Sequence, residues 1–212
     1  MSNISLKLNI RIYLLLGLVF FYLAVRFIFT KELDSMGAYS SYIFEVFNVL
    51  VAVLLAEKYF THFFKLNKRS VQFSLGSLFF GFLIFQSASF FKIQFPFDFT
   101  QFEMILFLLV VAPLLEEFIF RFFLWYPFEK LFTSSVIPWI LTTLLFSYSH
   151  LHAIWFVPAE FHNFIIYQTI YTLFLGAFCG YFVFRYKSLL GAILTHFTFN
   201  LGFYLGSLFL SV

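Results

Sequence analysis

Hydrophobic residues fill most of the chain in long runs that are separated by short polar joints. Each run holds at least 18 residues, which as an α-helix is long enough to cross a hydrocarbon layer of about 30 Å. The runs cover 12–29, 40–60, 71–91, 102–125, 136–156, 164–184 and 189–210. This pattern predicts an all-α, polytopic transmembrane helical bundle of about seven helices, with six to eight possible, forming one integral-membrane domain over 1–212.

The composition excludes a soluble domain. Of 212 residues, 62% are hydrophobic and 25% aromatic, whereas only 11% are charged, and the mean hydropathy is +0.95. A water-soluble fold of this size could not remove so much apolar surface from water. We therefore expect membrane lipid to surround the chain.

Positive charges are distributed unevenly over the predicted loops. In a seven-pass arrangement nine of the 13 Lys and Arg residues fall on one side and two on the other, while Arg26 and Arg121 lie inside helices. The positive-inside rule then predicts a multi-pass protein of the cell (cytoplasmic) membrane with a cytoplasmic N-terminus. This asymmetry accounts for the net charge of +3, so we expect no nucleic-acid partner. The oligomeric state is unknown from the sequence.

Small residues recur at helix-packing spacing in the last two runs. Gly176 and Gly180 are four apart, as are Gly202 and Gly206. In lipid this spacing lets two helices approach closely, so we expect these glycines to serve packing. Cys179 is the only cysteine, which rules out an intramolecular disulfide, and we expect no cysteine-based metal site.

Three charges interrupt the fourth run, in the stretch LLEEFIFRFF at 114–123. Charges at membrane depth are costly unless something compensates them. Glu117 and Arg121 are four residues apart and would share one helix face, which predicts an ion pair. Glu116 would point about 100° away and has no local partner.

Further polar residues lie at similar depth in two other runs. His150 falls in the fifth run, and His196 and Asn200, four apart on one face, fall in the seventh. We expect these side chains to meet Glu116 near the midplane of the membrane. A glutamate, two histidines and an amide in a water-containing cavity could hydrolyse a peptide bond.

Three motifs in order resemble those of a known family. EEFIFR at 116–121, FSYSH at 146–150 and HFTFN at 196–200 are similar to the EExxxR, FxxxH and HxxxN or HxxxB motifs of the CPBP family, the CAAX-type and bacteriocin-processing intramembrane endopeptidases. The resemblance covers residues 116–200, and the first 100 residues match nothing in it.

The resemblance implies a catalytic role for four residues. Glu116 matches the glutamate that activates water, and His150 matches the histidine that positions it. His196 and Asn200 match the pair that stabilises the oxyanion. We accordingly expect the motif-bearing catalytic core to lie within 102–210.

The resemblance also bears on structure and metal dependence. Glu117 and Arg121 match a second glutamate and an arginine, whose ion pair we interpret as structural and beside the site. We expect no cofactor and no metal. If the enzyme were metal-dependent, zinc bound by Glu116, His150 and His196 would be the alternative.

The sequence thus predicts an intramembrane endopeptidase that hydrolyses a peptide bond in a peptide or membrane-anchored protein, using glutamate-activated water. The alternative is a non-catalytic membrane interaction protein or bacteriocin-immunity protein that keeps the polar residues for structure. A transporter is less compatible with the sequence, because the intramembrane polar residues concentrate after residue 115 instead of recurring in two halves.

Overall fold

Helices account for nearly all of the described chain. The computed structural model describes residues 3–37, 39–66, 68–132 and 134–210, so the two residues at each end of the predicted domain lie outside the described part. Within these ranges the α-helices are α1 (Asn3–Phe27), α2 (Thr30–Ser35), α3 (Ser40–Leu55), α4 (Glu57–Phe63), α5 (Lys68–Phe90), α6 (Phe102–Leu106), α7 (Ala112–Phe118), α8 (Trp125–Leu131), α9 (Val136–His152), α10 (His162–Tyr186) and α11 (Leu189–Leu210).

The predicted all-α polytopic membrane fold is confirmed. Among the described residues, four helices are long and apolar enough to cross a membrane, at Ile10–Phe27, Val71–Phe90, Ala159–Tyr186 and Leu189–Phe209, and Ser40–Leu55 is a shorter apolar helix. The number of crossings and the cytoplasmic N-terminus stay predictions.

Two predicted runs end earlier than expected. The run at 40–60 is broken at Ala56, where α3 ends and the short helix α4 begins. The run at 136–156 leaves the α-helix at His152 and continues as a 3₁₀ turn over Ala153–Trp155. Hydropathy could not locate the second end, because apolar residues continue through 153–156, whereas the first break is marked by the charges of Glu57 and Lys58.

Glycines bring α5 and α11 into backbone contact. A Cβ added to Gly81 would lie 1.9 Å from the backbone oxygen of Phe199, and one added to Gly202 would lie 1.9 Å from the backbone oxygen of Leu78. Gly206 similarly faces the Phe85 side chain, where an added Cβ would lie 2.7 Å from the Phe85 Cβ. The predicted packing role of Gly202 and Gly206 therefore fits the structure, and Gly81 supplies the matching surface on α5.

Other helices pack around this pair. α10 lies between α9 and α11, and the Trp139 indole donates a hydrogen bond to the Ala177 backbone oxygen at 2.9 Å. An added Cβ on Gly180 would lie 2.5 Å from the Trp139 ring. The N-terminal helices α1 and α3 pack on the other side, against α8 and the α7 region.

Replacing Gly202 by alanine should destabilise the fold, because the added methyl group must displace the backbone of α5. We expect a loss of about 1–3 kcal/mol or more in the free energy of unfolding, seen as a lower melting temperature in detergent micelles. Gly76 on α5 is the matched control, since an added Cβ there meets nothing within 4 Å. A Gly202→Ala protein as stable as Gly76→Ala would contradict the close approach of the two helices.

Candidate active site

Two π-helical segments flank the Glu116 and Glu117 pair. They span Phe107–Val111 and Ile119–Phe123, and the second is closed by a hydrogen bond from the Leu124 backbone nitrogen to the Ile119 oxygen at 2.8 Å. Each precedes a proline, Pro113 and Pro127, whose ring cannot donate to the preceding turn and crowds its carbonyl group. Such π turns rotate and widen a helix locally and are frequent at functional sites.

The two adjacent glutamates of α7 point in different directions, as predicted. The Glu117 side chain is 0% exposed, whereas that of Glu116 is 26% exposed. Glu116 lines a cavity of about 470 Å³. The carboxylate left without a local partner is therefore the one that faces the cavity.

Both predicted histidines reach Glu116. Its Oε2 lies 4.0 Å from Nε2 of His150 and 3.8 Å from Nε2 of His196. The Phe146 ring lies edge-on to both imidazoles, with centroid distances of 5.1 Å to His150 and 5.8 Å to His196. Residues from α7, α9 and α11 thus converge although up to 80 positions separate them in the sequence.

His150, and not His152, is the histidine of α9 that faces the cavity. Nε2 of His150 is buried and has no hydrogen-bond partner among the described residues. His152 is instead buried against α1, with its Nε2 3.1 Å from the Phe27 backbone oxygen. The Nε2 of His150 therefore has an unused hydrogen-bonding capacity beside the cavity.

Glu117 joins the ion pair to the histidine of the third motif. Its Oε2 lies 3.3 Å from Nε of Arg121, with both side chains 0% exposed, and its Oε1 lies 2.9 Å from Nδ1 of His196. The predicted ion pair is present. The sequence indicated only a structural role beside the site for this pair, and its contact with His196 was not expected.

Arg121 is fixed by three further groups. Its Nη1 donates to the Thr142 backbone oxygen at 3.1 Å and its Nη2 to the Gly176 backbone oxygen at 2.9 Å, while its guanidinium lies 5.3 Å from the centre of the Phe146 ring. A Cβ on Gly176 would come within 2.8 Å of Phe146 and 3.2 Å of Arg121. The predicted packing glycine on α10 therefore makes room for the arginine itself.

Asn200 is held by the first π-helical segment. Its Nδ2 donates to the Leu108 backbone oxygen at 2.7 Å. An amide nitrogen carries two hydrogens, so one remains for another acceptor. The predicted pairing of Asn200 with His196 on one face of α11 thus comes with an anchor that the sequence did not indicate.

A cationic and an acidic residue on the opposite wall were missed. Arg26 and Glu45 line the same cavity as Glu116, and the Arg26 Nε lies 3.3 Å from the Glu45 Oε1. The Tyr22 hydroxyl also donates to Glu45 Oε1 at 3.5 Å. Arg26 was visible as a charge within the first apolar run, but nothing in the sequence connected it with α3.

One group of three potential metal ligands occurs within the described ranges. Ligand atoms of Glu117, Cys179 and His196 lie within 4.8 Å of one another. The carboxylate of Glu117 is already shared with Arg121, so a cation would compete with the guanidinium there. This cysteine-containing group was not expected, and it differs from the alternative zinc set of Glu116, His150 and His196.

Comparison with known proteins supports the resemblance seen in the motifs. Residues 98–202, about half of the chain, match the model of a family described as type II CAAX prenyl endopeptidase Rce1-like. No curated protein and no solved structure gives a match. The chain belongs to this Rce1-like family of CPBP proteins. At the level of the family, the assignment implies a membrane-embedded hydrolase with CAAX endopeptidase activity.

Removing the Arg121 charge should destabilise the protein severely. In Arg121→Met the Glu117 carboxylate would stay buried without its cation, which typically costs about 3–5 kcal/mol. The double variant Glu117→Gln/Arg121→Met should be more stable than Arg121→Met, because no unpaired charge remains. Unfolding in detergent micelles would measure both.

Lys130→Met is the matched control for this pair, since Lys130 is an exposed cation on α8. We expect it to change stability by at most about 0.5 kcal/mol. If Arg121→Met unfolded at the same temperature as Lys130→Met, the buried ion pair would have no role in holding the site together.

Proposed function

We propose that the protein is an intramembrane endopeptidase in which Glu116 activates the water that attacks a peptide bond, with the catalytic core lying within 102–210. The observation that carries this proposal is the position of Glu116 on the cavity wall, 4.0 Å from His150 and 3.8 Å from His196. These separations are too long for direct hydrogen bonds and suit a water molecule that bridges the groups.

The first chemical step assigns a proton to Glu116. The carboxylate takes a proton from the water while His150 positions the oxygen, and the resulting hydroxide attacks the substrate carbonyl carbon. General-base catalysis requires the base to lie within hydrogen-bond reach of the water. A water molecule that bridges Glu116 and His150 would meet this requirement. The product is a tetrahedral intermediate with a negatively charged oxygen.

His196 and Asn200 stabilise that oxygen. Glu117 accepts the Nδ1 proton of His196, so Nε2, which lies 3.8 Å from Glu116 Oε2, is the atom that would donate to the oxyanion. The anion behind the ring orients the imidazole with Nε2 towards Glu116, as a buried acid orients the histidine in other catalytic pairs. Asn200 can donate its second amide hydrogen, because the first is bonded to Leu108.

Collapse of the intermediate returns the proton. The carbon–nitrogen bond breaks, and the protonated Glu116 gives its proton to the leaving amine. The carboxylate is then restored, so the cycle needs only the substrate and one water molecule. No cofactor takes part.

We further propose that the reaction is independent of metal. Zinc bonds of about 2.0–2.2 Å would place neighbouring ligand atoms about 3.3–3.6 Å apart. The observed 3.8 and 4.0 Å around Glu116 are longer and fit a water more readily. Glu117, which is paired with Arg121, also supplies the anion that orients His196. No metal ion is needed to hold that imidazole.

The substrate is proposed to be a peptide or a membrane-anchored protein that reaches the cavity from the bilayer or from one face. The protein itself would reside in the cell membrane with its N-terminus in the cytoplasm. This orientation is supported by the excess of Lys and Arg on one side of the predicted helices.

Comparative peptidomics of membranes tests the function. Membranes with equal amounts of folded wild type, Glu116→Gln or His150→Ala would be compared for new peptide termini, with and without a chelator. We expect termini that depend on wild type and resist the chelator, and a loss of about 100- to 10,000-fold in their rate of formation in Glu116→Gln.

Glu103→Gln is the matched control, because Glu103 is exposed at the start of α6, on the same helical segment, and it should cleave like wild type. Identical termini in wild type and Glu116→Gln, together with the same cellular phenotype, would reject proteolysis in favour of the interaction or immunity function. Loss of the termini on chelation would reject the metal-free mechanism.

A further inference from the structure

The N-terminal helices provide a second wall of the catalytic cavity. Six lining residues belong to α1, α2 and α3, namely Tyr22, Arg26, Asp34, Ser41, Tyr42 and Glu45. All six precede the family match, which begins at residue 98. These residues therefore share the cavity with Glu116 and His150, but none of them belongs to the three family motifs.

Arg26 is the cation of this wall and lies within ion-pair distance of a single acid among the described residues. The contact runs from Nε to Glu45 Oε1 at 3.3 Å, and the Arg26 side chain is 26% exposed against 12% for Glu45. Its Nη1 and Nη2 donate no hydrogen bond to any described residue. Two donors of a planar fork thus remain for a ligand in the cavity.

Glu45 fixes this fork in place. Its Oε1 contacts both Arg26 and the Tyr22 hydroxyl, so the guanidinium is anchored through Nε and cannot rotate freely. The other nearby acid, Asp34, accepts a hydrogen bond from Ser41. An arginine held at one edge, with its other donors free, matches the geometry by which guanidinium binds carboxylate.

We propose that Arg26 forms a carboxylate-binding subsite that positions the substrate against Glu116. The carboxylate is either the free C-terminus of the substrate chain or an Asp or Glu side chain close to the cleaved bond. An intramembrane arginine that faces a cavity commonly marks a ligand path. The subsite rests on the proposed proteolytic function and specifies a substrate preference for it.

Four synthetic libraries of quenched fluorescent decapeptides test the subsite. All share randomised uncharged side chains; they end in a free carboxylate, in an amide, in an amide with one internal Asp, or in an amide with one internal Lys. The value of kcat/KM would be measured for each with wild type, Arg26→Gln, Arg26→Lys and Glu116→Gln in detergent micelles.

Wild type should cleave at least one carboxylate library about 10- to 100-fold faster than the plain amide, the ratio expected for hydrogen bonds to a charged group. In Arg26→Gln this ratio should fall to within about 3-fold, mainly through KM. Arg26→Lys keeps the charge without the fork and should give an intermediate ratio. The preferred library shows whether the bound carboxylate is the C-terminus of the peptide or an acidic side chain.

Lys31→Gln is the matched control, because Lys31 is an exposed cation on the neighbouring helix α2 and lies outside the cavity lining. Its ratios should equal those of wild type. If Arg26→Gln does not accumulate, Arg26→Lys and Glu45→Gln carry the test: the first should lower the carboxylate ratio and the second should raise it.

An unchanged ratio in the Arg26 variants, or a preference of wild type for the lysine library, would overturn the subsite while leaving proteolysis intact. If neither wild type nor Glu116→Gln cleaved any of the four libraries, the proposed function would be rejected, and the subsite with it. The two failures are thus separated by the Glu116→Gln comparison.

Discussion

The buried carboxylate of Glu117 is the group on which the rest of the site depends. It sits between the Arg121 guanidinium and the His196 imidazole, and its side chain is fully enclosed. A charge in such a place is tolerated only when its partners are fixed. Arg121 is therefore tied to backbone oxygens of α9 and α10, so one ion pair holds four helices in register around the cavity.

Helical spacing predicted the local part of this arrangement. Because Glu117 and Arg121 are four residues apart, any helix places them on one face, and Glu116 then necessarily turns elsewhere. The convergence of Glu116 with His150 and His196 followed from their shared depth and from the motif order. These inferences needed only helix geometry and the hydropathy of the runs.

The contacts that the sequence did not predict are those that depend on the path of the chain in three dimensions. The bond from His196 to Glu117 depends on how α11 lies against α7, and the bond from Asn200 to Leu108 depends on a π turn. The contact between Arg26 and Glu45 joins α1 and α3, and the apolar residues of these helices do not indicate which of their faces meet. In each case the decisive quantity is the rotation of one helix about its axis, which lipid-facing aromatic residues leave undetermined.

The backbone contact of α5 with α11 also fixes the helix that carries two of the predicted catalytic residues. His196 and Asn200 lie on α11, and the glycines at the crossing leave no room for that helix to slide or turn. The third motif is then held rigidly against the rest of the bundle. The wall that α1 to α3 contribute to the cavity is joined by a side-chain contact, the Arg26–Glu45 pair, so its width can adjust by side-chain rotation while α11 stays fixed.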